Sequence, residues 1–153
     1  MQRAFRTLVA LVVGTTLLST ALAGDKPQTP GQLAGGEVIS VERGQALVAE
    51  GQAVFVDTRN PLNFGKGHVP GAMALAYREK SAYADDFDAG LDQFALERLP
   101  GDKQAPLVFY SDGPTGWKSY KAAVLAIRAG YARVYYMRGG WAQWEAAGLP
   151  VER

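Results

Sequence analysis

Apolar positions along this chain fall into short blocks separated by turn residues, and the blocks alternate between two periods. "AVFVD" at 53–57, "PLVFY" at 106–110 and "ARVYYM" at 132–137 are brief continuous apolar runs, as expected of strands buried on both faces of a parallel sheet. "AMALA" at 72–76 offers a further short strand. Between these runs the period lengthens. In "VISVERGQALVAEG", Ser40 is placed to cap a helix, Leu47 and Val48 form its apolar stripe, and Gly51 stops it. Over 85–99, Phe87, Leu91, Phe94, Ala95 and Leu99 lie close to helical spacing before Pro100 and Gly101, which predicts another helix. A helix is predicted from Lys118 to Ala129, with Ala123, Val124 and Ile127 inward and Gly130 at its end. "GGWAQWEAAGLP" reads as a closing helix ended by Gly148 and Pro150, and "TRNPLNFGKGHVPGA" as a loop. Alternating strands and helices predict an α/β fold with a mainly parallel central sheet flanked by helices.

The flanking segments change this picture at one end. Residues 1–23 carry Arg3 and Arg6, an apolar run from Leu8 to Leu18, and Ala21-Leu22-Ala23, the order of parts in a cleaved export signal. The run is shorter than the roughly 18 residues needed to cross a bilayer, and Thr15, Thr16 and Ser19 dilute it. The expected location is therefore the periplasm, without stable membrane insertion after cleavage. Residues 24–36, rich in Gly, Pro and Gln, read as a flexible arm, and 37–153 as the folded domain.

Composition narrows the function classes. Loss of Arg3 and Arg6 takes the formal net charge from +1 to −1, so neither nucleic acid nor an anionic membrane is expected as a partner. The chain contains no cysteine, which removes both disulfides and thiol chemistry. No metal or cofactor motif stands out. Asp57 and Arg59, at the end of a strand, are suited to tie strand to loop by charge-assisted hydrogen bonds. His68, the only histidine, lies in a turn-rich connection and reads as structural. Trp141 and Trp144, three apart, read as core packing.

Three stretches together resemble the rhodanese-like family, the single-domain sulfurtransferase fold. "VDTRNPLNFGKGHVPGA" is similar to its early signature, "VFYSDGPTGWKSYKAA" to its active-site strand, loop and helix, and "GYARVYYMRGGWAQWEAAGLPVE" to its closing pattern. The resemblance implies a three-layer domain whose first loop residue is a cysteine that accepts a sulfane sulfur. Ser111 occupies that place here. An exported subgroup has a longer loop of the form Cys-Asn-Gly-x-x-Cys-Trp, and Gly113, Trp117, Lys118 and Ser119 match it while Ser111 and Gly116 replace both cysteines.

A serine nucleophile needs a neighbouring base, and none is evident, so a hydrolase using Ser111 or Asp112 is the weaker alternative. What the loop retains is an anion cradle. Ser111, Asp112, Gly113, Thr115, Gly116, Trp117, Lys118 and Ser119 surround the expected start of a helix, where backbone N–H groups, the helix dipole and a lysine favour an oxyanion. The leading expectation is an exported, non-catalytic module for which a small oxyanion or a periplasmic protein is the partner. The other is a cysteine-substituted form of an active sulfurtransferase.

Overall fold

A computed structural model describes residues 25–153; the expected export signal lies outside the described residues. Five strands, β1 (Glu37–Ile39), β2 (Val54–Asp57), β3 (Met73–Ala74), β4 (Leu107–Tyr110) and β5 (Val134–Met137), form one sheet in the order β1-β5-β4-β2-β3. Every pairing in it is parallel. Four α-helices flank it: α1 (Val41–Glu50), α2 (Pro61–Lys66), α3 (Trp117–Arg128) and α4 (Gly140–Ala146). Among the described residues no helix is long and apolar enough to cross a membrane.

The period-two geometry of the strands splits the apolar residues between two cores. Val56, Leu107, Phe109, Val134 and Tyr136 face α3, where Tyr120, Ala122, Ala123 and Ala126 cover them. Phe55, Val108, Tyr110 and Met137 point the other way, against Leu47 of α1 and Trp144 of α4. The sheet is thus covered on both sides, which is why β2, β4 and β5 read as continuous apolar runs rather than alternating ones.

Helix α1 begins and ends where its residues dictate. Ser40 accepts from the Arg43 N–H at 3.2 Å, and Gly51, at φ 68°, donates to Leu47 and Val48 carbonyls. Strand β1 precedes it and is not legible in the pattern, because three residues on a sheet edge give too little alternation. Helix α2 corrects the reading of 58–72 as loop throughout. Asn60 caps it by accepting from Asn63 N–H at 2.8 Å, and Pro61 fills the first turn.

The segment 85–99 does not form the expected helix; it makes two 3-10 turns, Ala89–Leu91 and Leu96–Arg98. Tertiary bonds override its periodicity. Asp92 accepts from Tyr77 Oη at 2.6 Å, Ser81 Oγ at 2.6 Å and the Lys80 and Ser81 N–H groups, while Gln93 pairs with Arg78 in an antiparallel bridge. These bonds hold the chain extended where a helix would need its own carbonyls. Next to them Lys121 of α3 is fully buried, with Nζ 3.1 Å from Glu79, 4.0 Å from Asp92 and 2.9 Å from Ser81 Oγ. The Glu79 contact is an ion pair without a well-directed hydrogen bond. Two lysines, Lys26 and Lys121, and two carboxylates, Glu79 and Asp92, make this group electrically balanced.

Residues 25–36 carry neither helix nor strand, yet the flexible arm expected there is packed down. Thr29 donates from N and Oγ to the Pro114 carbonyl at 2.8 and 2.9 Å, Arg138 donates to the Thr29 carbonyl, and Leu33 enters the core. Composition reports the lack of periodicity and misses the partners, which lie more than 80 residues away.

Burial opposes ionisation of Asp92, but the bonds from Ser81, Tyr77 and the two amides outweigh it and lower its pKa from 3.8 to about 2. Its carboxylate therefore stabilises the fold fully above the unfolded value, and that stabilisation is lost as pH falls through 2. In denaturant melts across this window, Asp92→Asn is expected to be less stable at neutral pH and to lose much of the acid dependence.

Candidate functional site

The site lies at the carboxyl edge of the sheet, where β2 and β4 are neighbours whose chains leave in opposite directions. After β2, Asp57 and Arg59 form a buried bidentate pair: Arg59 Nη2 reaches Asp57 Oδ2 at 2.6 Å and Nε reaches Oδ1 at 3.0 Å. The same guanidinium donates to the Gly67 carbonyl at 2.7 Å and lies 4.7 Å from the Trp141 ring centre. Burial by itself would lower the Arg59 pKa, but Asp57's hydrogen bonds and charge outweigh it, so the group is held more strongly protonated. Trp141 is thus an aromatic lid on this pair, while Trp144 is core.

His68 is engaged away from the loop. Its Nδ1 lies 3.0 Å from the Phe64 carbonyl, its ring stacks on Phe64 at 3.7 Å, and its Nε2 is 3.7 Å from Glu152. Backbone bonds in both directions between His68 and Glu152 fasten the chain end there.

The loop after β4 is held from three sides. The Trp141 and Ala142 N–H groups donate to the Ser111 and Asp112 carbonyls at 2.8 and 2.9 Å, which docks α4 onto it. Thr29 holds Pro114, and Trp117 Nε1 donates to the Pro27 carbonyl at 2.8 Å. Within the loop, Gly116 N–H donates to the Gly113 carbonyl and Trp117 N–H to that of Thr115, so two candidate donors are spent on turns. Among the described residues the amides of Asp112, Gly113 and Thr115 donate to no protein acceptor. Ser119 Oγ returns to the Gly116 carbonyl at 3.0 Å in the first turn of α3.

Ser111 itself is closed in. It is 2% exposed, and its Oγ has no hydrogen-bond partner. Gly116 lies against it: a Cβ there would stand 3.0 Å from Ser111 Cβ and 2.8 Å from the Gly113 carbonyl oxygen. A buried hydroxyl without a partner costs about 1–3 kcal/mol, whereas a thiol, a weak donor, tolerates the same surroundings. The remaining candidates divide between two openings. Asp112 is exposed beside Arg59, Trp141 and Glu145, and Lys118 lines a separate cleft with Asn60 and Tyr83. No base stands at Ser111, and among the described residues no group of three or more acidic or histidine side chains converges as metal ligands would.

Sequence reasoning overlooked Gly140, Thr29 and the Lys121 group. Gly140 had a signal in the Gly139-Gly140 pair: at φ 57° it lets the backbone pass the loop, and a Cβ would stand 2.5 Å from the Ser111 carbonyl oxygen.

A parallel three-layer α/β domain with a loop and helix N-terminus at its switch point is the architecture of the single-domain sulfurtransferases. The chain belongs to the rhodanese-like domain family, whose sequence profile matches residues 40–147. It is 30% identical over 109 residues to thiosulfate sulfurtransferase GlpE of Pseudoalteromonas translucida, covering 71% of this chain and 89% of that one. It is 32% identical over 110 residues to the tRNA uridine(34) hydroxylase of Erwinia tasmaniensis, but spans only 29% of that protein. A crystal structure from Bacillus halodurans superposes with a TM-score of 0.58 at 20% identity over 76% of each chain, a likeness of fold.

Two substitutions test this geometry. Ser111→Ala is expected to leave stability unchanged or raise it by up to about 1 kcal/mol in chemical denaturation, because it deletes an unpaired hydroxyl. Gly140→Ala is expected to cost at least about 2 kcal/mol, since it combines a left-handed backbone with a clash against main chain that cannot rotate away.

Proposed function

We propose that this chain is an exported rhodanese-like module that binds a small oxyanion and does not transfer sulfur. The observation that carries the reading is Ser111: the residue at the family's nucleophile position is a hydroxyl, buried, with neither a base nor any other partner. A persulfide requires a thiol, and the chain has none. Ser111 Oγ is bound to no acceptor that could remove its proton, which also leaves the hydrolase reading without its first step. Support for the anion comes from the loop itself, where among the described residues the Asp112, Gly113 and Thr115 amides lack protein acceptors, and from Lys118 at the start of α3. Export rests on residues 1–23, with processing after Ala23; intact mass of periplasmic material should show Gly24 first, and retention of those residues would mean an uncleaved chain.

A second reading has one specific observation in its favour. The unpartnered Ser111 hydroxyl fits a pocket shaped for sulfur, as in a cysteine-substituted sulfurtransferase. Assays with thiosulfate and cyanide separate the two. The protein as it stands is expected to show no turnover, and turnover above a heat-killed control would overturn the proposal. Ser111→Cys is expected to give a thiol that titrates below the free value of about 8.5, because the N-terminus of α3 favours the thiolate. Alkylation is slowed by burial, so the midpoint of its pH dependence is the readout. A midpoint no lower than that of a cysteine on an exposed helix face would remove the oxyanion reading. Full sulfur transfer by the Ser111→Cys protein would instead establish the second one.

A further inference from the structure

Beside the loop, and separate from Ser111, a cleft of about 480 Å³ opens between the start of α2, the segment 76–83 and the start of α3. Its position follows from topology. The chain runs from β2 outward to β3 on one side and from β4 outward to β5 on the other, so the crevice outside their carboxyl ends is the switch point at which open α/β sheets bind ligands. Asn60 and Pro61 come from the β2 side, and Lys118 from the β4 side.

The charge on this cleft is not balanced. Glu79, the one acidic residue in its lining, is already held between Lys26 at 3.4 Å and the buried Lys121 at 3.1 Å. Arg78, Lys80 and Lys118 remain, and among the described residues none of the three makes an ion pair. Three unpaired cations around one concavity stand out in a stretch, 25–153, whose formal net charge is −1. Self-repulsion among them is relieved by an anion of more than one charge.

The rest of the lining is apolar enough to select among anions. Tyr83 is 40% exposed, Pro61 lies across from it, and the ring of Tyr77 is fixed behind by its bond to Asp92. Lys26 Nζ lies 4.9 Å from the Tyr83 ring centre and the buried Lys121 Nζ 5.4 Å from it, so a flat anion brought against the exposed part of this ring meets an aromatic edge and a cation together, and the volume lies in the range of small-molecule sites. We propose that this cleft binds a flat organic anion carrying two or more charges, an aromatic carboxylate, sulfonate or phosphate ester in class, gripped by Arg78, Lys80 and Lys118 against Tyr83 and Pro61. The site shares Lys118 with the loop but does not need the loop to hold an oxyanion.

The test is calorimetric titration of the protein with naphthalene disulfonate, with inorganic sulfate and naphthalene methanol run beside it. Saturable binding of the disulfonate is expected, weakened by added salt, with sulfate and the neutral alcohol each much weaker. The triple variant Arg78→Ala, Lys80→Ala, Lys118→Ala should weaken binding by roughly tenfold or more. Tyr83→Ala should weaken it while leaving the salt dependence in place, and Lys103→Ala, whose cation lies over Tyr131, should leave it unchanged. No saturable binding, or binding that survives the triple substitution, overturns the proposal. Sulfate that binds as tightly as the disulfonate and competes with it for the cleft reduces the cleft to a bare cationic patch and overturns it too, whereas sulfate bound without competition belongs to the loop; binding of polyglutamate alone, which would mark an acidic protein partner, also overturns it. Disulfonate binding together with sulfur transfer by Ser111→Cys would defeat the non-catalytic reading and leave this one standing.

Discussion

Arg59 holds the carboxyl edge of the sheet together. One guanidinium closes on Asp57 at the tip of β2, binds the Gly67 carbonyl beyond α2, and lies under Trp141 at the start of α4. The tip of β2, the turn after α2 and the start of α4 meet on a single planar cation, and the planar fork of arginine is what allows bonds in several directions at once. Burial of such a pair contributes little net stability by itself. Its loss from one side is costly, because the remaining charge is left dry and unpaired, at about 3–5 kcal/mol. The position of the loop after β4 depends on this arrangement through α4, whose first N–H groups hold the Ser111 and Asp112 carbonyls.

The parts of the fold legible in sequence are those with local causes. The capping pair Ser40 and Gly51, the apolar runs of β2, β4 and β5, and the stop at Gly130 each act within a few residues, so the pattern announces them. What stayed hidden has partners far along the chain. Phe87, Leu91 and Phe94 are spaced for a helix, but Asp92 is drawn to Tyr77 and Ser81, and Leu91 is left 55% exposed. The loop's residue types were readable, and so was the absence of cysteine. Its closure was not, since that depends on Gly116 folding back over Ser111 and on Thr29 reaching Pro114.

Loop and cleft set two kinds of chemical requirement side by side on one edge of the fold. Sulfur transfer through a persulfide needs a thiol at one position, and the chain has no thiol. The proposed anion recognition draws instead on amides, a helix terminus and several basic side chains, so no single replacement is expected to remove it. The balanced group of Lys26, Glu79, Asp92 and Lys121 serves the cleft indirectly: it fixes the irregular segment 76–93 against α3 without drawing on Arg78, Lys80 or Lys118.

Strand β1 pairs only with β5, and Thr29 before it bonds to residues of the later half of the sequence. Glu37 through Ile39 pair with Tyr135 through Met137, and Thr29 with Pro114 and Arg138. Strand β1 therefore has no partner strand until β5 has been made. High separation in sequence between contacting residues slows folding and lengthens the time during which apolar segments are exposed. A chain lacking β5 would leave one edge of β4 unpaired and β1 with no strand to join.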